Sequence, residues 1–172
     1  MGDLLYLCGM VEIRMAARED LATIHNMADV VFRETYRTIL SPEQMDYMMD
    51  WMYSLPNLEK QVREGHVYYI AWDGDKPQGY VSVQKEREGL YHLQKIYVMP
   101  SAQKTGLGKL LMDRALKHVK DEAGHAEVEL NVNRENPAQG FYKHVGFKVV
   151  RQGDFPIGKG FYMNDYIMGI EV

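Results

Sequence analysis

The sequence predicts an α/β fold in which helices flank a mixed, largely antiparallel sheet. Short segments that alternate apolar and polar residues recur along the chain, as is typical of strands. Longer segments repeat apolar residues every three or four positions, as is typical of amphipathic helices. A hairpin signal at residues 73–77 joins two of the central strands, which favours antiparallel pairing. A helical segment at 106–122 separates two later strands, which favours one parallel crossover.

The length and composition of the chain fit one domain. The chain has 172 residues, of which 46% are hydrophobic and 26% are charged, and these values are typical of a globular domain with its own core. We predict a single domain over residues 11–172, preceded by an N-terminal extension over residues 1–10.

The charge pattern excludes several classes of partner. The net charge is −4, from 20 Lys and Arg against 24 Asp and Glu, and no basic stripe is present, so we expect no nucleic-acid partner. No apolar run is long enough to span a bilayer, so no membrane partner is expected either. Cys8 is the single cysteine, which rules out an internal disulfide and favours a cytoplasmic location.

The first part of the chain contains one strand and two helices. Alternation predicts a strand at 11–15, and helical spacing predicts a helix at 18–37. A second helix begins at Ser41 and Pro42, since serine caps helices and proline suits their first position. Gln44 occupies the position at which a capping box requires Glu or Gln.

A stripe of methionines follows on this second helix. It is formed by Met45, Met48, Met49 and Met52. Its helical spacing is typical of a face buried in the core. Because methionine is flexible and polarisable, the same stripe could also form an adaptable wall of a substrate pocket.

The rest of the chain alternates between strands and helices. Strands are predicted at 66–72, 79–84, 91–98, 127–132, 147–150 and 161–169. Helices are predicted at 58–64 and 106–122, and from Pro137 to about Gly146. The last two strands are expected to be joined by a loop that contains Gly153, Pro156, Gly158 and Gly160.

The segment between the strand at 91–98 and the helix at 106–122 is a candidate anion site. The first N–H groups of a helix have no internal partner and lie at its positive end, where they can bind phosphate. Gly106 and Gly108 have no Cβ, so a phosphate could approach the backbone closely. On these two glycines alone, a turn without a ligand is an equally good interpretation.

The spacing of this segment excludes two common phosphate loops. A P-loop requires a Ser or Thr after Gly-Lys and a first glycine five residues earlier, but Leu110 and Gln103 stand at those positions. A dinucleotide-binding loop requires a third Gly or Ala, but Leu111 stands there.

Two segments together resemble a known family. The pattern Val98-x-Pro100-x-x-Gln103-x-x-Gly106-x-Gly108 resembles the signature of the GNAT superfamily of acyl-CoA-dependent N-acyltransferases. The downstream stretch FYKHVGF, residues 141–147, resembles the Tyr-x-x-x-Gly-Phe element of that family. The order of strands and helices is also similar, so the resemblance extends from Val11 to the end of the chain.

The resemblance implies a sheet that splays open between the strands at 91–98 and 127–132, with the pantetheine arm of acetyl-CoA in the split. It implies no metal. The residues that it assigns to acetyl-CoA are Ile96, Tyr97, Val98, Gln103, Lys104, Thr105, Gly106, Leu107, Gly108, Lys109, Asn136 and Lys143. Two of them have an ordinary alternative, since Lys109 could be a solvated lysine and Asn136 could cap the helix at Pro137.

The resemblance also implies a direct acetyl transfer from the thioester to an amine. Tyr142 stands at the position of the tyrosine that protonates the departing thiolate, although it could also be a packing aromatic. Relatives often use a glutamate of the fourth strand as the base, and the matching stretch YHLQ has none. His92 in that stretch titrates near neutral pH and is our candidate base, with an ordinary strand histidine or a water chain as the alternatives.

The acceptor is expected to be a primary amine of a small molecule. Residues 35–45 are similar to a bacterial subgroup that includes polyamine (spermidine/spermine) N-acetyltransferases, and Glu34 and Tyr36 are the candidate substrate-binding residues. A protein or peptide amine is an alternative acceptor, and a non-catalytic acyl-CoA-binding sensor is an alternative function. Family habit also suggests a homodimer.

Overall fold

The computed structural model describes residues 11–172, so the predicted extension at 1–10 and Cys8 lie outside the described residues. The strands are β1 (Val11–Met15), β2 (His66–Asp73), β3 (Lys76–Arg87), β4 (Leu90–Val98), β5 (Glu127–Asn133), β6 (Lys148–Gly158) and β7 (Phe161–Glu171). The helices are α1 (Leu21–Tyr36), α2 (Pro42–Tyr53), α3 (Leu55–Arg63), α4 (Leu107–Ala123) and α5 (Gln139–Val145), and short 3-10 turns lie at Arg18–Asp20 and Pro100–Ala102.

The strands form one seven-stranded sheet in the order β1-β2-β3-β4-β5-β7-β6. Within it, β4 and β5 are parallel and every other neighbouring pair is antiparallel. The crossover between the two parallel strands runs through α4, as expected for a connection of this kind. The predicted fold class, a mixed and largely antiparallel sheet flanked by helices, is therefore confirmed.

The sheet opens between β4 and β5. Their pairing runs from Leu90 opposite Glu127 to Leu93 opposite Leu130 and stops there. At the same point β4 carries a bulge, because Leu93 pairs with Val83 of β3 while Lys95 pairs with the preceding residue. Gln94 is thus one residue too many in the ladder, and a bulge of this kind bends its strand. The bulge and the lost pairing turn the end of β4 away from β5.

Helices cover both faces of the sheet and bury two apolar cores. Helices α4 and α5 pack on one face, where Leu111 and Met112 are fully buried against Leu93. Helices α1 to α3 pack on the other face, where Ile24 and Leu58 are buried together with Tyr80. The opening between β4 and β5 therefore connects the two helical layers.

The methionine stripe of α2 lies partly in the core and partly beside a cavity. Met45, Met48 and Met49 are buried in the core, as the helical spacing predicts. Met48 and Met52 also line a cavity, which is described below. The Ser41 cap is confirmed, since its Oγ accepts a hydrogen bond from the Gln44 backbone N–H at 3.1 Å. The Gln44 side chain instead donates to the carbonyl of Tyr162 at 2.8 Å.

One prediction was wrong in the C-terminal part. The expected loop with Gly153 and Pro156 is strand, because β6 continues to Gly158 and pairs with β7. Proline and glycine are tolerated there because β6 is the edge strand and has a neighbour on one side only. The turn is confined to Lys159 and Gly160, both with positive φ. No helix within residues 11–172 is long and apolar enough to cross a membrane.

Candidate active site

A cleft of about 430 Å³ lies where β4 and β5 diverge. One wall is the end of β4, residues 94–98, and the other is formed by Leu130, Asn131 and Val132 of β5. Beyond Leu93 the backbone of β4 has no partner on the side of β5. Unpaired backbone groups of a strand can hydrogen-bond an extended ligand, so this wall can hold a chain that carries amide groups.

The glycine segment lies at one end of this cleft. A second cavity, also of about 430 Å³, is lined by Gly106 and Gly108 together with Lys104 and Phe141. The two cavities share Ile96, Tyr97, Val98, Gln103, Ala138 and Tyr142 and so form one continuous groove. We call it the cofactor groove.

The glycine loop has the conformation that an anion site requires. Gly106 precedes α4 with φ of +85°, a left-handed conformation that glycine adopts without strain. The first N–H groups of α4 have no partner within the helix and lie at its positive end. The Gln103 amide donates to the Val98 carbonyl at 3.4 Å, and Thr105 donates to Ala102 at 2.6 Å, so both side chains brace the loop. This end of the groove fits a pyrophosphate.

Other residues that were predicted to bind the cofactor have side chains that lie outside the groove or are engaged within the protein. The side chain of Leu107 is buried in the core, so only its backbone could reach a ligand. Lys109 forms an ion pair with Asp113 at 2.9 Å and lines the groove. Lys143 is exposed on α5 and lines neither cavity of the groove. Ala at Gly108 would meet Phe141 and Val98 only at ordinary contact distances of 3.7–3.8 Å, so protein packing does not require that glycine.

Tyr142 lies where the two cavities of the groove join. Its ring packs near Phe141 and Phe147, with centroids 5.6 and 6.1 Å away. Burial raises the pKa of Tyr142 above its usual range, and the nearby Tyr36 raises it further. The hydroxyl therefore holds its proton at neutral pH, and among residues 11–172 no group hydrogen-bonds it. Such a hydroxyl can donate a proton to a group bound in the groove.

Tyr36 and Asn136 connect the groove to the rest of the site. The Asn136 side chain accepts a hydrogen bond from the Ala138 N–H at 2.9 Å, just before α5, and donates to the Tyr36 hydroxyl at 3.3 Å. Asn136 thus braces the turn before α5 but is not its cap, because α5 begins at Gln139 with Ala138 at the N-cap position and no side-chain cap hydrogen bond. Asn136 also lines the groove. Tyr36 and Tyr97 line the groove as well. Glu34 is exposed at the mouth of the groove.

A third cavity, of about 450 Å³, lies on the α1–α3 face of the sheet. It meets the cofactor groove at Tyr36, Gln94, Lys95, Tyr97 and Asn131, which line both. Its walls carry the aromatic side chains of Phe32, Trp51, Tyr53 and Tyr162 and the carboxylates of Glu64, Glu86 and Asp165. We call it the acceptor cavity, because its aromatic and acidic lining suits a cationic molecule.

His92 lines the acceptor cavity. Its Nδ1 lies 3.2 Å from Oε1 of Glu86, which orients the ring. Burial lowers the pKa of His92, and Glu86 partly opposes this effect. A neutral imidazole with Nδ1 held by a carboxylate leaves Nε2 able to accept a proton. The geometry is therefore compatible with a base, although His92 does not line the groove itself.

Sequence reasoning missed two buried ionisable residues of the acceptor cavity. Lys95 is 8% exposed and donates to Met52 O at 3.1 Å, Gln61 Oε1 at 2.8 Å and Tyr68 Oη at 2.6 Å. Burial lowers the pKa of Lys95 to about 7. Asp165 is 3% exposed on β7. In the sequence, a buried ionisable residue can be suspected where a charged residue interrupts an apolar strand. Lys95 in the segment LQKIYV is such a residue.

Comparison with known proteins shows which protein family has this sequence pattern and fold. The GNAT acetyltransferase domain family matches residues 36–165. The PaiA N-acetyltransferase from Thermoplasma acidophilum, solved in complex with coenzyme A, is 26% identical, with a TM-score of 0.78 over 94% of this chain and 99% of that one. Mutant forms of the spermidine/spermine N-acetyltransferase SpeG from Vibrio cholerae are 22% identical, with a TM-score of 0.64 over 94% of this chain and 95% of that one. The SpeG likeness shows the fold alone.

One curated relative is the peptidyl-lysine N-acetyltransferase YjaB from Escherichia coli strain K12. It is 31% identical over 92 residues, which are 53% of this chain and 55% of YjaB. The chain spans about half the length of the curated relatives it matches.

A splayed sheet with a glycine loop at one end of the split defines the acyl-CoA-dependent N-acyltransferase class. Within that class, the chain belongs to the GNAT acetyltransferase family. Enzymes of this family use acetyl-CoA as the co-substrate, and the cofactor groove has the features that acetyl-CoA needs: a positive helix end for the pyrophosphate and an unpaired strand edge for the pantetheine amides. Bound there, acetyl-CoA supplies an acetyl group activated as a thioester.

Proposed function

We propose that this protein transfers the acetyl group of acetyl-CoA to a primary amine of a small molecule, with a polyamine as the first candidate. The observation that carries this proposal is the junction at Tyr36, where the cofactor groove meets a cavity with carboxylates and aromatic walls. A polyamine combines ammonium groups with aliphatic stems, and these suit carboxylates and aromatic faces respectively.

The chain's own residues would divide the work as follows. Backbone groups of residues 96–98 and 103–109 bind and orient acetyl-CoA, and Asn136 supports the start of α5 beside it. Tyr142 donates a proton to the leaving sulfur, since its raised pKa keeps it protonated. His92 accepts the proton that the acceptor amine loses, directly or through water. Glu34 and Tyr36 guide the cation at the entrance.

A lysine side chain of a peptide is the second candidate acceptor. Two relatives at 29% and 31% identity are named peptidyl-lysine N-acetyltransferases. A lysine side chain presents the same primary ammonium on an aliphatic stem, so the acceptor cavity suits it for the same physical reasons.

A thiol-release assay over spermidine, spermine, aminoglycosides, amino acids and lysine-containing peptides tests the proposal. We expect CoA release with at least one primary amine and the highest kcat/KM with a polyamine. A higher kcat/KM with lysine-containing peptides would identify a peptide lysine as the acceptor and leave the proposed acetyl transfer unchanged. Thermal stabilisation by CoA without turnover on any amine would favour the non-catalytic acyl-CoA sensor instead.

We further propose that the protein acts in the cytoplasm, that residues 11–172 form a single acetyltransferase domain, and that the protein forms a homodimer. Size-exclusion chromatography with light scattering tests the last of these directly.

A further inference from the structure

We propose that the buried carboxylate of Asp165 receives the ammonium group of the acceptor and thereby selects cationic amines for acetylation. The inference rests on the proposed function and adds to it the group that holds the reacting amine. It applies equally to a polyamine and to a peptide lysine, because both present a primary ammonium.

Asp165, the fifth residue of β7, lines the acceptor cavity. The residue is 3% exposed, yet it lines the cavity together with Tyr36 and Asn131. It pairs in register with Asn133, the last residue of β5, beyond the point at which β5 separates from β4. A molecule in the cavity therefore reaches this carboxylate without any movement of the strands.

The hydrogen bonding of Asp165 is incomplete. Its carboxylate accepts one side-chain hydrogen bond, from Asn131 Nδ2 at 3.2 Å. Arg134 is the nearby cation, but its guanidinium binds the Asp154 carboxylate and the Gly153 carbonyl, and it reaches only the backbone oxygen of Asp165, at 3.5 Å. Within residues 11–172, no basic side chain lies within 4.0 Å of the Asp165 carboxylate. A carboxylate offers about four acceptor positions, so most of them are open.

A buried carboxylate with one neutral donor is unfavourable, which gives it affinity for a cation. Burial raises the pKa of Asp165, and Asn131 and Arg134 only partly oppose this effect. An ammonium group with three N–H donors would supply both the opposite charge and the missing hydrogen bonds. Lys95 does not supply them from the same cavity, since its amino group binds Met52, Gln61 and Tyr68.

The position of Asp165 is suitable for transfer. Its charge is close enough to Tyr36 to raise the pKa of that hydroxyl, and Tyr36 in turn raises the pKa of Tyr142. Tyr36 lines the acceptor cavity together with Asp165 and the cofactor groove together with Tyr142. An ammonium held by Asp165 would sit beside the junction of the acceptor cavity and the cofactor groove.

The substitution Asp165→Asn tests this role, because asparagine has the same shape and can still accept the hydrogen bond from Asn131. We expect the KM for spermidine, or for a lysine peptide if wild type prefers it, to rise by about 30-fold or more, as is typical when one partner of a buried charge pair is removed. The KM for acetyl-CoA and the CoA-induced rise in Tm should not change. The control is Asp121→Asn, an exposed aspartate near the end of α4 that pairs with Lys117, and it should leave all these values unchanged.

The possible results separate the inference from the function it rests on. Turnover by Asp165→Asn with an unchanged KM for the amine would overturn the inference and leave the proposed function intact. A wild-type enzyme that acetylates none of the amines in the thiol-release assay would overturn both.

A second measurement covers the case in which Asp165→Asn does not fold. With wild type, N,N-dimethylbutylamine cannot be acetylated but carries an ammonium N–H, and n-pentanol is of similar size and uncharged. We expect the amine to compete with the acceptor far more strongly than the alcohol does. Equal inhibition by the two would overturn the inference.

Discussion

The cofactor groove and the acceptor cavity are neighbouring regions that are built in different ways. The groove is made largely of backbone: the unpaired end of β4, a left-handed Gly106 and the first turn of α4. The acceptor cavity is made of side chains from α1, α2, α3, β2, β3, β4, β5 and β7. A backbone site constrains a short, continuous stretch of sequence, whereas a side-chain site does not. The cofactor groove can therefore be recognised in the sequence as a motif. The side chains of the acceptor cavity can change independently of that motif, so the acceptor can vary while the co-substrate stays the same.

The largest expected effect is at the junction of the two regions. Tyr142→Phe removes the hydroxyl and keeps the ring that packs on Phe141 and Phe147. We expect kcat to fall roughly 10³-fold, as is typical when a general acid is lost. CoA should still raise the Tm as it does for wild type. Normal turnover would remove the proton-donor role and leave Tyr142 as a packing aromatic.

Loss of the candidate base His92 should have the next largest effect on turnover. We expect His92→Gln to lower kcat roughly 10²-fold at neutral pH, because the acceptor then loses its proton unaided. The deficit should narrow at high pH, where the free amine is already neutral. The matched control is His66→Gln, which lies in the same cavity and whose pKa burial lowers to about 4. Equal losses in both variants, or none in either, would point to a water chain in place of His92.

Substitution of the two glycines at opposite ends of α4 tests whether the backbone of the glycine loop binds acetyl-CoA. Gly106 and Gly124 both have positive φ, of +85° and +73°, so alanine at either site should cost about 1–2 kcal/mol of stability. Only Gly106 lies in the groove. We therefore expect both variants to lower the Tm, and only Gly106→Ala to raise the KM for acetyl-CoA, by roughly tenfold. A similar KM in both variants would show that the loop does not bind the co-substrate.

The last prediction concerns the stability of the acceptor side rather than turnover. Burial lowers the pKa of Lys95 from 10.5 to about 7, so between these values the unfolded chain binds one proton more than the folded protein. The free energy of unfolding should therefore rise with pH from about 7 towards 10.5. Lys95→Met should remove this rise and unfold no more easily at neutral pH, because Gln61 still donates to Met52 O.

Thermal melts of wild type and Lys95→Met between neutral and alkaline pH measure this difference. The same pH dependence of Tm in both proteins would contradict the claim that burial lowers the pKa of Lys95.

The fold was largely predictable, because alternation and helical spacing report burial on one face of a strand or helix. The wrong loop in β6 shows the limit: Gly153 and Pro156 indicate a turn locally, but an edge strand tolerates both. Gly106 could be found because a left-handed turn before a helix requires glycine at a fixed spacing. Asp165 could not, since its partner Asn131 lies 34 positions away and no local pattern marks a carboxylate as unpaired. Lys95 likewise meets Gln61 and Tyr68 only after folding.

Hydrogen–deuterium exchange with and without CoA tests the central claim most directly, namely that the split sheet and the glycine loop form the acetyl-CoA site. We predict slower exchange on CoA binding in the end of β4, residues 96–98, and in the loop and first turn of α4, residues 103–109. Exchange in α2 (Pro42–Tyr53), on the acceptor side, should stay the same. Protection confined to α2, or unchanged exchange in both segments of the groove at saturating CoA, would contradict the account.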